Sequence, residues 1–259
     1  MIEIITSTSN PKIKALLALQ QKSSLRRKES LFVVEGAREL ERCVSAGYEV
    51  DTVFVCPEIS GEFEHPQGSK CFYVSKELYA KIAYREGTEG VIAEVKSKTL
   101  KLEDLSLGEN PLIMVLESVE KPGNLGAILR TCDAAGADAL LVCDPLTDLF
   151  NPNLIRASLG AAFSVPTVAC SSEDAISFLQ SRGIQILTAQ LQDSELYYDI
   201  DMKRGTALVM GTESTGLSDV WRKAANAHIR IPMLGMVDSL NVSVSAAVLL
   251  YESVRQRNG

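Results

Sequence analysis

Short apolar runs alternate with stretches of helical period along most of the 259-residue chain. Near the start, Asn10 precedes Pro11, a helix-opening pair: Asn caps, and Pro at the first helical position loses no bond because its missing N–H was an orphan anyway. Ile13, Leu16 and Leu17 then share a face with lysines opposite. Apolar runs at 31–34, 52–56, 71–74 and 90–95 predict strands, with helices at 36–46 and, capped by Ser75, at 76–84. Residues 31–95 therefore form a small α/β unit behind a basic helix at 10–28. The polar stretch 97–110 lacks strong periodicity and is expected to be a linker between a 1–96 domain and a 111–259 domain. From Pro111 onward, strands are predicted at 112–116, 138–143, 184–189, 206–210 and 228–231. Helices are predicted at 124–135, 151–159, 173–182, 217–224 and 240–256. Fully apolar strands separated by helices imply an α/β fold with a mainly parallel sheet covered on both faces, whose ligands sit beyond the strands' carboxyl ends.

Charge changes this picture locally. The chain carries net −7, yet residues 1–30 hold Lys12, Lys14, Lys22, Arg26, Arg27 and Lys28 against Glu3 and Glu29, a local +4 on a body of −11. Such an arm suits phosphate contact, and equally a solvated helix face. The six cysteines have no C-x-x-C spacing and the two histidines are isolated, so no metal site is expected. Scattered apolar cysteines suit a reducing cytoplasm. The start, MIEIITSTSN, does not read as a signal peptide, and no apolar run approaches the roughly 18 residues of a membrane span.

Three blocks offer chemistry. In the first, residues 117–130, Pro122-Gly123 makes a turn and Asn124 is a candidate N-cap. Leu125, Ile128, Leu129 and Cys132 face the core, while Gly126, Arg130 and Asp133 share another face. Glycine inside a helix costs about 1 kcal/mol relative to Ala, which makes sense if something approaches closely there. A surface Arg130 paired with Asp133 is the plainer reading. In the second block, residues 208–218, a strand enters a loop bounded by Gly211 and Gly216 and carrying Glu213. No Lys-Ser/Thr follows Gly216, so the phosphate-loop pattern fails, and no G-x-G-x-x-G supports a nicotinamide enzyme. In the third, residues 229–248, a strand stops at Pro232, Gly235 permits a bend, and Ser239 is a candidate cap for a small, apolar, deeply buried helix with Asn241 as a buried amide at its start.

Together the blocks resemble the SpoU/TrmH branch of the SPOUT RNA methyltransferases. N-x-G-x-x-x-R matches Asn124, Gly126 and Arg130. G-x-E-x-x-G-L-S matches Gly211, Glu213, Gly216, Leu217 and Ser218. I-P-M followed by S-L-N-V-S-x-A matches Ile231, Pro232, Met233, Ser239, Leu240, Asn241, Val242 and Ser243, and departs at its last position, where Ser245 stands and Ala246 comes one position late. The resemblance covers 111–257. Residues 28–96, with the run Phe32–Arg38, also look like that family's substrate-binding domain, itself similar to small ribosomal proteins that hold RNA. The resemblance implies a deep C-terminal trefoil knot, a homodimer through the methyltransferase domain, and S-adenosyl-L-methionine as cofactor. It implies cofactor contact at Gly211, Ile231, Met233, Leu240 and Ser243, and catalytic or substrate-positioning roles for Asn124, Arg130, Glu213, Ser239 and Asn241. The activity implied is methylation of a ribose 2′-hydroxyl, with rRNA preferred on the ribosomal-protein-like first domain and the same chemistry on tRNA as the alternative. A catalytically inert RNA-binding protein is the alternative of another class.

A guanidinium normally stays protonated, so Arg130 is expected to orient the ribose and adjacent phosphate and to relay the proton with that phosphate's help. Asn124, Glu213 and Asn241 would fix Arg130 and the backbone by hydrogen bonds.

Overall fold

The computed structural model describes residues 4–84, 89–212 and 215–259. The chain divides into two compact units, Met1–Lys98 with Asp148–Phe163, and Thr99–Thr147 with Ser164–Gly259.

The first unit holds β1 (Ile4–Ile5), α1 (Pro11–Gln21), α2 (Ser23–Glu29), β2 (Leu31–Glu35), α3 (Ala37–Ser45), β3 (Val50–Val55), α4 (Pro57–Ser60), β4 (Lys70–Val74), α5 (Lys76–Ile82) and β5 (Val91–Lys96). Asn10 caps α1 by accepting from Lys12 N, and Ser75 caps α5 by accepting from Leu78 N. The expected single helix at 10–28 is two, because Lys22 takes an extended conformation between them. The strands form a mixed sheet in the order β1-β4-β3-β5-β2. Strand alternation divides its side chains: Val33, Phe54 and Ile92 join the core with α1 and α5, while Phe32, Val34, Val53, Val55, Val91, Ala93 and Val95 form the other core.

The second unit runs β6 (Leu112–Glu117), α6 (Pro122–Ala135) and β7 (Ala139–Cys143). After β7 the chain supplies α7 (Pro152–Ser158) and most of α8 (Ala161–Ser164) to the first unit. It then returns through β8 (Thr167–Cys170), α9 (Ser172–Ser181), β9 (Gln185–Ala189), β10 (Glu195–Leu196), β11 (Thr206–Met210), α10 (Asp219–Ala224), β12 (Ala227–Arg230) and α11 (Val242–Asn258). The sheet is parallel throughout, in the order β10-β12-β9-β11-β6-β7-β8. One face packs α9 and α10, with Leu179 and Trp221 in its core; α11 packs against α6, β11 and β6. β8 and β10 escape the sequence pattern because they are short and, as edge strands, only partly buried. Residues 99–107 are not a free linker: Leu105 is buried in the core, Leu102 and Leu107 pack on it, and Leu100 bridges to Val168. No helix among the described residues is long and apolar enough to cross a membrane.

The segment 148–163 completes the first unit's second core. Phe150 stacks on Phe32 at 4.5 Å between ring centroids, Phe163 meets the Tyr48 ring at 5.4 Å, and Ile155 is buried. Arg26, counted by sequence with the basic arm, turns inward instead. Its Nε donates to Asp148 at 2.6 Å and its Nη1 to the Leu19 and Gln20 carbonyls. Removing one member of a buried pair strands the other's charge. Arg26→Met is therefore expected to lose about 3–5 kcal/mol in urea unfolding; an unchanged midpoint would show that Asp148 does not depend on it.

Glu94 on β5 is buried, and its Oε1 has no partner among the described residues. Burial, aided by the Asp51 charge and opposed by Lys70, pushes its carboxyl up from 4.5 to about 7. A raised carboxyl favours folding while it is protonated, so its contribution is full below pH 4.5 and is lost as pH rises to about 7. The difference in stability between Glu94→Gln and the natural protein should grow across that window. Parallel stability–pH curves would refute this.

Candidate functional site

A cleft of about 400 Å³ opens where three adjacent strands end. Its walls are the loops after the carboxyl ends of β9, β11 and β12, the location that parallel sheets provide for ligands. A smaller recess of about 140 Å³ between Val119–Lys121, Asn124, Gly211, Thr212 and Val242 shares residues with it.

The loop after β11 folds back on itself. Thr212 and Gly216 exchange two backbone hydrogen bonds, and Thr215 N donates to Thr212 Oγ1 at 3.0 Å. Gly216 adopts φ +69, which favours glycine. Gly211 is required for a different reason: a Cβ there would lie 2.2 Å from the Gly216 carbonyl oxygen and 2.6 Å from Leu217 N. Beyond the loop, Ser218 N and Oγ donate to Glu117 at 2.8 and 2.5 Å, and this tethers the start of α10 to the end of β6.

The third block is rearranged relative to expectation. Ser239 does not cap α11. Asn241 does, and its Oδ1 accepts from Ser243 N at 3.0 Å and Ser243 Oγ at 2.6 Å. Asn241 is exposed rather than buried, and α11 leaves Val244 and Tyr251 about half exposed, so its start is not enclosed in this chain. Asn124 is not an N-cap either: Lys121 takes that place and Pro122 is the first helical residue, leaving Asn124 at the third position. There it accepts from Asn241 Nδ2 at 3.3 Å, joining the starts of α6 and α11.

Of the sequence-predicted cofactor residues, Gly211, Ile231, Met233 and Leu240 line the cleft, with Ser239 beside them. Ser243 does not, because its hydroxyl is turned back to Asn241; Ser245, two positions further along the helix, lines it instead. Arg130 lines neither cavity. It is exposed on α6 about 9 Å along the helix axis from Asn124, and among the described residues it forms no ion pair with Asp133, whose Oδ1 accepts from Ser164. Glu213 lies outside the described residues. Sequence reasoning missed Gln190, Arg222 and Asp238 in the cleft wall. Only the expected end of β9 marked Gln190 as close to a ligand position.

The cleft suits a nucleoside-sized cofactor. Its volume falls within the usual 300–1,000 Å³ range of small-molecule sites. Met210, Leu217, Ile229, Ile231 and Leu240 supply apolar surface for a flat ring, and Arg222, Arg230 and Asp238 supply charge for a zwitterion. The Gln190 Oε1 is a buried acceptor with no partner among the described residues, held in that orientation because Nε2 donates to the Gln192 carbonyl at 2.9 Å.

Comparison with known proteins adds to this geometry. Residues 111–251 match the SpoU rRNA Methylase family, and residues 10–93 match the MRM3-like substrate binding domain. The chain is 27% identical over 247 residues to the 23S rRNA (guanosine(2553)-2′-O)-methyltransferase RlmP of Bacillus subtilis, which covers 95% of this chain and 97% of that one. It is 39% identical over 176 residues to the 23S rRNA (guanosine-2′-O-)-methyltransferase RlmB of Bordetella pertussis, 66% of this chain and 72% of that one. Among solved structures, an RNA 2′-O ribose methyltransferase superposes with a TM-score of 0.85 at 37% identity, covering 99% of this chain and 100% of the other. An AdoMet-bound rRNA methyltransferase from Sinorhizobium meliloti gives 0.89 at 28%, covering 98% of each.

Because an added methyl at Gly211 collides with backbone that has no side chain to move aside, Gly211→Ala should lower affinity for S-adenosylmethionine by on the order of tenfold, about 1.4 kcal/mol. Titration calorimetry on protein with an unchanged circular dichroism spectrum tests this, and unaltered affinity would show that the loop is not part of the cofactor site.

Proposed function

This chain belongs to the SpoU rRNA methylase family, and from that premise we propose that it transfers the methyl group of S-adenosylmethionine to a ribose 2′-hydroxyl of ribosomal RNA. The observation that carries the reading is the meeting of the second and third sequence blocks at one cleft, beyond the carboxyl ends of β9, β11 and β12. The relatives named as 23S rRNA 2′-O-methyltransferases support rRNA as the substrate.

The bound cofactor supplies an electrophilic methyl group on a sulfonium. Everything else falls to the protein. The glycine loop, closed on itself by the approach of Gly211 to Gly216, forms one wall, while Ile231, Met233 and Leu240 hold the cofactor in the cleft. Asn124 and Asn241, joined at 3.3 Å, fix the starts of α6 and α11 against each other. Arg130, exposed on α6, is assigned to the RNA: its planar fork holds ribose and phosphate, and the neighbouring phosphate helps to take the hydroxyl proton. Glu213 is assigned to the same positioning set through its match to the family motif.

The first unit is assigned to holding RNA. The MRM3-like match supports this, as do the exposed Lys12, Lys14, Lys22, Arg27 and Lys28 on and between α1 and α2. We assign the second unit the trefoil knot of its family and a homodimer through that unit. The dimer is supported by apolar side chains left in water before and along α11: Leu234 and Met236 are almost fully exposed, and Val237, Val244 and Tyr251 are exposed as well. A second copy would cover Asn241 and complete the enclosure of the α11 start that the sequence predicts. We assign the reaction to the cytoplasm.

Arg130→Ala, assayed on rRNA transcripts at saturating cofactor, is expected to reduce turnover by about 100-fold or more with cofactor affinity unchanged. Near-normal turnover would remove Arg130 from the mechanism. Ribose-methylation mapping of rRNA from cells with and without the gene should show one or more sites lost.

A further inference from the structure

Cys143 ends β7 and Cys170 ends β8, and the two pair directly across the parallel ladder. Both thiols are free and their Sγ atoms lie 4.0 Å apart. We propose that Cys143 and Cys170 are a modification site, which a hydroperoxide closes into a reversible disulfide and whose closure is transmitted to the cofactor cleft through α10.

The backbone permits the bond. Neighbouring strands hold their Cα atoms about 4.8 Å apart, inside the roughly 4.4–6.8 Å that disulfides span. The sulfurs must shorten their separation to about 2.05 Å. A dithiol reductant reopens such a bond by thiol–disulfide exchange.

The two thiols differ in the way such a reaction needs. Cys143 is fully buried, whereas Cys170 is half-buried on an edge strand and reachable. The hydrogen bond between them favours the Cys170 thiolate and pushes the Cys143 thiol up. Burial raises the thiols of Cys43, Cys56, Cys71 and Cys132. Cys170 also sits just before Ser171, the N-cap of α9, where the helix end favours an anion. Attack of the Cys170 sulfur on the peroxide forms an S–O bond as the O–O bond breaks, and an alcohol or water leaves. The Cys143 sulfur then attacks the sulfenic sulfur, the S–S bond forms, and water departs with the Cys143 proton. Two electrons pass from the thiol pair to the peroxide.

Two hydrogen-bonded routes lead from the pair to α10. Glu117 pairs with Cys143 across β6 and β7 and accepts both Ser218 donors. Asp144, next to Cys143, accepts from Ser172 Oγ at 2.6 Å, and that oxygen accepts in turn from Trp221 Nε1 at 2.9 Å. Ser218 holds the N-cap position of α10 and Trp221 lies in its first turn, directly after the Gly216–Leu217 wall of the cleft. This transmission rests on the cleft being the cofactor site; the thiol chemistry does not.

The test treats the full chain with hydrogen peroxide, maps its peptides by mass spectrometry and titrates S-adenosylmethionine before oxidation, after it, and after dithiothreitol. The expected result is a Cys143–Cys170 cross-linked peptide, lighter by two hydrogens than its reduced parts, with cofactor affinity weakened several-fold and restored by the reductant. Cys170→Ser should abolish both effects, and Cys71→Ser, which removes the other half-buried thiol, should abolish neither. Over-oxidation of Cys170 without a cross-link would overturn the site. A cross-link with unchanged affinity would overturn its connection to the cleft. Failure of the reduced chain to bind cofactor would count against the cleft assignment, while the cross-linked peptide would still decide the thiol pair.

Discussion

The second unit's site depends on one close approach of backbone to backbone, between Gly211 and Gly216. A Cβ on Gly211 would fall 2.2 Å from the Gly216 carbonyl oxygen, with no side chain between them to yield. That approach turns the chain sharply as it leaves the central strand β11. It sets Thr212 and Gly216 in a two-bond exchange, and it delivers Leu217 to the core and Ser218 to Glu117. The cleft wall and the anchoring of α10 are consequences of the same turn. Glycine serves here by lacking a side chain, and only at Gly216 by reaching a positive φ.

Around that turn, the parallel sheet explains why separate stretches of sequence share one cleft. The loops after β9, β11 and β12 are distant in the chain, but the strand order β12-β9-β11 makes them neighbours. Asn124 and Asn241 make a comparable join between helices, with one amide capping α11 and reaching α6 at once. Each such bond is modest, about 1 kcal/mol net. Their effect is geometric, since both helix starts border the recess beside the cleft.

Much of the fold was legible because burial leaves a period in the sequence. The strands from Leu112 to Ala227 and most helices were placed within a few residues, and Asn10 and Ser75 cap as their residue types predict. The exceptions have physical reasons. β8 and β10 lie at sheet edges, where half-burial weakens the apolar run. Ser239 and Asn241 are both capping residues, and composition alone does not choose between them; the geometry of the bend does. Arg26 reads as one more cation in a basic helix, but its guanidinium is spent inside on Asp148 and two carbonyls. The segment 148–163 looks like part of the second domain and is claimed by the first because Phe32 and Tyr48 offer it aromatic partners.

By itself, the sequence determined most of the secondary elements, the parallel α/β class of the second unit, and the three blocks whose order marks the family. These follow from local rules: side-chain period, capping chemistry and the freedom of glycine act between residues close in the chain. Only tertiary structure decided that Ser245 rather than Ser243 faces the cleft, that the Gln190 oxygen has no partner among the described residues, and that Cys143 meets Cys170. Those outcomes depend on which strands become neighbours and on which way a side chain turns when its hydrogen bonds are shared out. No local pattern records either one.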